Sequence, residues 1–456
     1  MSANSFSSDR RTVLAGAAGA SLLAIGGRAT AAATAAPKGR SAFPKGFRWG
    51  CATAGHQIEG NNTNADLWLL ENIKPTIYAE RSGDACDSYN RYEEDIALLA
   101  RLGFNTYRFS IEWPRIEPSR GFFSNAELDH YSRVMAACHR HGVAPAVTFL
   151  HTTTPRWFAE AGGWLNPEAP KLFARYCSTA AKALAADMDY AFTINEPQVQ
   201  RSFRSIPGAA QGFAKRDAAT LAMLAAAAKA TGSDRFVTTD HPDIDAMTPL
   251  LIAGHEQAYA AIKAERTRLP VGVTLNIADF SPATEDSPYE QVRADAYGAW
   301  LEACRRTGDF TGAQIYRQIP IAGKGKPLPR PAPLPFVEPG EGMMGRFAQP
   351  EALRNGVEYV YSKTGKPVFV TENGLQTEND SHRILYIDRA LAALHESVAK
   401  GVPVMGYLHW SLIDNFEWAQ GFGPKYGLVA VDRTTFKRTP KPSAAHLGAI
   451  AKRNAI

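Results

Sequence analysis

The sequence predicts a single (β/α)8 barrel, an α/β fold with its active site at the C-terminal ends of the strands. Three observations carry this expectation. Eight short β-rich runs alternate with helical patterns from Phe43 onward, no linker or shift of composition divides the chain, and no G-x-G-x-x-G follows the first run, as an open dinucleotide-binding sheet would require. The chain is long for one domain at 456 residues, yet barrels with insertions extend beyond about 400.

The first element is read as an export signal over residues 1–36. Arg10 and Arg11 precede an apolar Ala/Gly-rich stretch from Val13 to Ile25, and small residues from Ala29 to Ala36 offer a cleavage region. This pattern is similar to the bacterial twin-arginine signal, which places the protein in the periplasm or outside the cell. The apolar stretch is shorter than the ~20 residues a spanning helix needs, so no stable membrane insertion is expected. The alternative is an Ala-rich tail with a chance Arg pair. The barrel domain then occupies residues 37–456.

Its strands are expected at Phe47–Thr53, Phe104–Ser110, Ala144–Leu150, Tyr190–Asn195, Val271–Asn276, Asp309–Ile315, Pro367–Glu372 and Val404–Trp410. Among the intervening helices, Tyr92–Leu102 opens on Glu93, Glu94 and Asp95, which suit a helix N-terminus, and carries its apolar face on Ile96, Leu98, Leu99 and Leu102. Asn125–His139 and Ile384–Ala399 follow the same periodicity. Seven prolines between Pro320 and Gly340 predict a long loop after the sixth strand, shaping the pocket mouth or serving as a solvated spacer.

Composition narrows the function. Apolar residues at 45% and charged residues at 21% fit a soluble globular protein, and 50 basic against 45 acidic residues leave a net charge of +5 without basic runs, so no nucleic-acid partner is expected. Five scattered cysteines form no C-x-x-C and imply neither a disulfide framework nor a metal site. His139 and His141, flanking Arg140 at a predicted helix C-terminus, suit the helix dipole better than a metal. No cofactor is expected, and oligomeric state is left open.

Two glutamates stand at strand ends, Glu196 in Thr193-Ile194-Asn195-Glu196-Pro197 and Glu372 in Val370-Thr371-Glu372-Asn373-Gly374. Paired carboxyls suit glycosidic cleavage, one protonating the departing oxygen while the other meets the charge developing at the anomeric carbon. Together with Trp49-Gly50-Cys51-Ala52-Thr53, Gln57-Ile58-Glu59-Gly60, Tyr107-Arg108-Phe109-Ser110-Ile111-Glu112-Trp113-Pro114-Arg115 and the run Trp410 to Trp418, they form an ordered series over residues 43 to about 442. This series resembles glycoside hydrolase family 1, whose members are (β/α)8 barrels that hydrolyse β-glycosides with retention.

The resemblance implies Glu196 as acid/base and Glu372 as nucleophile, with Arg108 keeping Glu372 ionised and Tyr316 hydrogen-bonding it. It implies Gln57, His151, Asn195 and Glu417 as polar contacts to a small-molecule β-glycoside, Asn195 toward the 2-hydroxyl, and Trp410 and Trp418 as stacking surfaces. A carboxylate at Glu417 suits free 4- and 6-hydroxyls and opposes a 6-phosphate, favouring unphosphorylated β-glucosides or β-galactosides. Four departures stand out. Thr152 replaces an aromatic after the histidine, Gln314 and Ile315 replace Asn and Tyr, His56 replaces Tyr, and the segment from Trp300 to Asp309 is short. Two rival readings remain: a transglycosidase passing the sugar to an alcohol or phenol through the same intermediate, and a catalytically silent sugar-binding barrel.

Overall fold

The computed structural model describes residues 41–326 and 348–456. Residues 1–36, read above as an export signal, and most of the expected proline-rich loop fall outside the described residues. Eight strands form a closed barrel in which every neighbouring pair is parallel, successive strands lie side by side and the eighth closes on the first. They are β1 (Arg48–Ala52), β2 (Thr106–Ser110), β3 (Ala144–Leu150), β4 (Tyr190–Asn195), β5 (Val271–Asn276), β6 (Phe310–Gln314), β7 (Val368–Asn373) and β8 (Val404–Trp410). Each agrees with an expected strand to within two residues at either end. Helices Ser88–Leu102, Asn125–Arg140 and Asp380–Ala399 extend the three helices read from periodicity. Ser124 caps the second, accepting from the Glu127 backbone N–H, and Gly103 ends the first in the left-handed region open to glycine. Pro320 lies in a short strand, Gln318–Ile321, that pairs outside the barrel with Asp279–Pro282. All five cysteines are buried and free. No helix among the described residues is long and apolar enough to cross a membrane.

The barrel interior has two levels. Its lower level is an apolar plug of Ala146, Phe192, Phe310, Phe369 and Leu408, with Phe192 of β4 and Phe369 of β7 meeting across the barrel at 6.1 Å. The upper level is polar. Strict alternation along β4 and β7 would turn Asn195 and Glu372 outward, because each stands an odd number of residues after an inward phenylalanine. Register shifts between Phe192 and Asn195 in the β4–β5 pairing, and between Ala313 and Gln314 in the β6–β7 pairing, restore the inward phase. The Arg108 guanidinium lies 5.2 Å from the Phe192 ring, so the charged level rests directly on the aromatic one.

Candidate active site

At the C-terminal ends of the strands, a cavity of about 490 Å3 is lined by His151, Thr152, Asn195, Glu196, Asn276, Tyr316, Arg317, Glu372, Trp410, Glu417, Trp418 and Tyr426. Eight of the ten residues singled out from the sequence belong to this lining. Arg108 and Gln57, both fully buried, stand behind it.

The two carboxyls have unequal surroundings. Glu372 accepts three hydrogen bonds, from Arg108 Nη1 at 2.7 Å and Gln314 Nε2 at 2.6 Å on Oε1, and from Tyr316 Oη at 2.6 Å on Oε2. Glu196 accepts from the neutral Asn276 Nδ2 at 2.7 Å. Burial raises both carboxyls, Glu196 to about 8 with the nearby Glu372 charge as the second cause and Asn276 opposing; at Glu372 the upward push is resisted by Arg108 and Tyr316. A single proton on the pair therefore resides on Glu196, since Glu372 has the Arg108 guanidinium hydrogen-bonded to it and the Glu372 charge adds to burial in raising Glu196.

Glu196 also has a left-handed backbone, with φ at 47°, held by its N–H bond to the Thr274 carbonyl at 2.9 Å. Thr152 and Trp418, on the same cavity wall, share the left-handed region at 75° and 52°. Such conformations cost a non-glycine residue about 1 kcal/mol or more and persist only where the surroundings hold them.

Asn195 is oriented by its acceptors. Its Oδ1 receives Arg108 Nη2 at 2.6 Å, Gln314 Nε2 at 2.7 Å and Thr274 Oγ1 at 2.9 Å, which fixes Nδ2 as the donor end. Nδ2 lies 3.1 Å from His151 Nε2, so that nitrogen accepts and Nδ1 carries the proton. Burial, then the Arg108 charge, holds His151 well below the usual histidine range, keeping it neutral. Its Nδ1–H has no partner among the described residues, nor has the buried Gln57 Oε1, although Gln57 Nε2 is fixed by the Phe416 carbonyl at 2.7 Å and Asn415 Oδ1 at 3.0 Å. Buried polar atoms left unpaired in this way suit hydroxyl partners.

Beside His151, Trp410 Nε1 donates to Glu417 Oε1 at 3.2 Å. Burial pushes Glu417 up to about 8 against that hydrogen bond. The His151 ring stacks near both tryptophans, 5.8 Å from Trp410 and 5.9 Å from Trp418.

Several contributors escaped the sequence reading. Asn276 ends β5 and was open to the same strand-end rule as Glu196. Gln314, noted only as a departure, bonds both Glu372 and Asn195. Arg317 and Tyr426 line the cavity without a local sequence signal. Behind the wall, Glu112 accepts from Asn62 at 2.8 Å, Ser110 at 2.9 Å and Thr153 at 2.6 Å, joining the loops after β1, β2 and β3. His56 bonds Glu71 at 2.8 Å and stacks parallel to Trp418 at 6.1 Å, supporting that ring from behind.

Comparison with known proteins agrees with this geometry. Residues 39–311 and 337–456 match the family described as Glycosyl hydrolase family 1. The chain belongs to glycosyl hydrolase family 1. It is 31% identical to "Thermostable beta-glucosidase B" of Thermobispora bispora, covering 96% of each chain, and 31% identical to "Beta-glucosidase" of Agrobacterium sp., covering 90% of this chain and 95% of that one. Among solved structures, "Apo structure of a beta-glucosidase 1317" is 44% identical with a TM-score of 0.83, covering 90% of this chain and 98% of that chain. "Crystal structure of beta-glycosidase BGL167" is likewise 44% identical, with a TM-score of 0.82 and coverage of 91% and 98%. The family 1 chain is thus a glycoside hydrolase of β-glucosidase type, which sets aside the silent sugar-binding barrel. The transglycosidase alternative gains no support from these relatives.

Proposed function

We propose that the protein is an exported, exo-acting, retaining β-glycosidase that cleaves unphosphorylated β-glycosides, with β-glucosides as its main substrates. The observation that carries this reading is the asymmetry of the pair: Glu372 is held by a guanidinium, an amide and a phenol, while Glu196 has one neutral donor in the same cavity. Glu372 attacks the anomeric carbon as Glu196 gives its proton to the departing oxygen. The C–O bond to the leaving group breaks and a glycosyl ester on Glu372 forms. Esterification removes the negative charge beside Glu196 and lowers its pKa, so it then takes a proton from water, which attacks the same carbon and releases the sugar with its configuration retained.

Arg108 and Tyr316 act through Glu372, orienting it and stabilising its charge. Asn195, His151, Gln57 and Glu417 offer the polar atoms, and Trp410 and Trp418 the apolar faces, that one pyranose requires. NMR of the first-formed product from an aryl β-glucoside tests the reading. The β-anomer should precede mutarotation; α-anomer first would refute retention, and a dominant transfer product in the presence of an alcohol would favour the transglycosidase alternative.

A further inference from the structure

Where the family resemblance leads one to expect tyrosine, the chain carries His56, which plays no part in the proposed chemistry. Building on that reading, we infer that His56 is a positioning residue: it sets the plane of the Trp418 ring, and through that ring it governs how tightly the sugar is held.

His56 is buried in the short helix Gly55–Ile58 after β1, one residue before Gln57. Both of its ring nitrogens are engaged. Nε2 donates to Glu71 Oε1 at 2.8 Å, and Nδ1 accepts from Asn62 Nδ2 at 3.3 Å, an amide that also donates to Glu112 Oε2 at 2.8 Å. Glu71 is fixed in turn by Ser82, whose backbone N–H at 2.8 Å and hydroxyl at 2.6 Å both donate to Oε2. Bonds in the ring plane at two positions prevent an imidazole from turning, so its face has one direction. That face runs within 5° of parallel to Trp418 in an offset stack, with centroids 6.1 Å apart.

The two sugar-facing tryptophans are held by different means. Trp410 is tied through its Nε1 bond to Glu417. Trp418 makes no side-chain hydrogen bond among the described residues, and its left-handed backbone opens a single turn, Trp418–Gln420. Packing therefore orients it: His151 at 5.9 Å, His56 at 6.1 Å and the apolar cluster that includes Phe416. His151 itself faces the sugar, whereas His56 stands outside the cavity lining and is anchored whether or not substrate is bound. An apolar face against the C–H surface of a sugar acts alike before and during the reaction, so a misplaced Trp418 weakens binding and leaves the chemical step unchanged.

The test is steady-state kinetics on p-nitrophenyl β-D-glucoside with His56→Gln, whose amide can still donate to Glu71, and His56→Tyr, which keeps a ring. His56→Gln should raise KM about three- to tenfold, the size of one aromatic contact, with kcat within about twofold, and His56→Tyr should stay within about twofold in both. A double-mutant cycle with Trp418→Ala separates positioning from a merely structural role: once the indole is gone, His56→Gln should change KM less than about twofold. If His56→Gln does not fold, His56→Leu is judged by the same cycle. An unchanged KM in His56→Gln, an equal rise in His56→Tyr, or the same effect with and without Trp418 overturns the role of His56 and leaves the glycosidase reading intact. Failure of the unaltered enzyme to cleave the substrate refutes the glycosidase reading itself, and this role with it.

Discussion

Glu196 and Glu372 carry the same functional group, and their surroundings give them opposite tasks. With Glu196 raised to about 8, kcat/KM for an aryl β-glucoside should hold through neutral pH and fall above about pH 8 as the free enzyme loses its acid; a profile flat to pH 10 would contradict this. The same shift bears on stability. A carboxyl raised from 4.5 to about 8 on folding contributes stability that is complete below pH 4.5 and is lost as pH rises to about 8. Glu196→Gln removes that loss, so its unfolding midpoint should exceed the parent's by more at pH 8 than at pH 5, and equal differences would contradict the account. Tyr316→Phe deletes a hydrogen bond to a charged oxygen, worth about 1.5–3 kcal/mol, and should lower kcat roughly ten- to hundredfold with the fold intact. At this scale the sequence was informative wherever a polar residue ended a strand inside a recognisable motif, as at Asn195 and Glu372. It was silent on Gln314, whose two bonds depend on β6 standing beside β7 and on the interior facing β4.

The elements themselves were legible because buried parallel strands are short apolar runs bounded by helical patterns, and all eight lay where such runs occur. The register shifts in β4 and β7 were not legible. They depend on which residues the neighbouring strand presents, and a period of two gives no warning that Phe192 and Asn195 share one face. The family match breaks between residues 311 and 337, across the segment that carries Gln314, Tyr316 and Arg317. Packing between the ends of β7 and β8 offers a test at this scale. A Cβ on Gly374 would lie 2.2 Å from the Trp410 carbonyl oxygen, a contact that requires backbone movement. Gly374→Ala should therefore destabilise the protein by about 1–3 kcal/mol in urea unfolding, and kcat should fall because Glu372 stands two residues away. An unchanged midpoint would show that this approach is softer than its geometry indicates.

Over the whole molecule, the absence of linkers and the regular recurrence of strand and helix predicted one barrel, and the described residues between Ser41 and Ile456 form one compact unit. Export is argued from Arg10 and Arg11, the apolar stretch from Val13 to Ile25 and the small residues from Ala29 to Ala36, and is tested in the bacterial cell. Replacing both by lysine should retain the protein in the cytoplasm, whereas unchanged delivery to the periplasm or medium would contradict a twin-arginine route. The central claim is that residues distant in the chain, Glu196 and Glu372, hold one sugar between them and that Glu372 bonds to it. Incubation with an activated 2-deoxy-2-fluoro β-glucoside slows both steps and lets the ester accumulate, and peptide mass mapping then locates it. The account predicts one fluorosugar on the peptide bearing Glu372. A label on any other residue, or none while hydrolysis proceeds steadily, would contradict it.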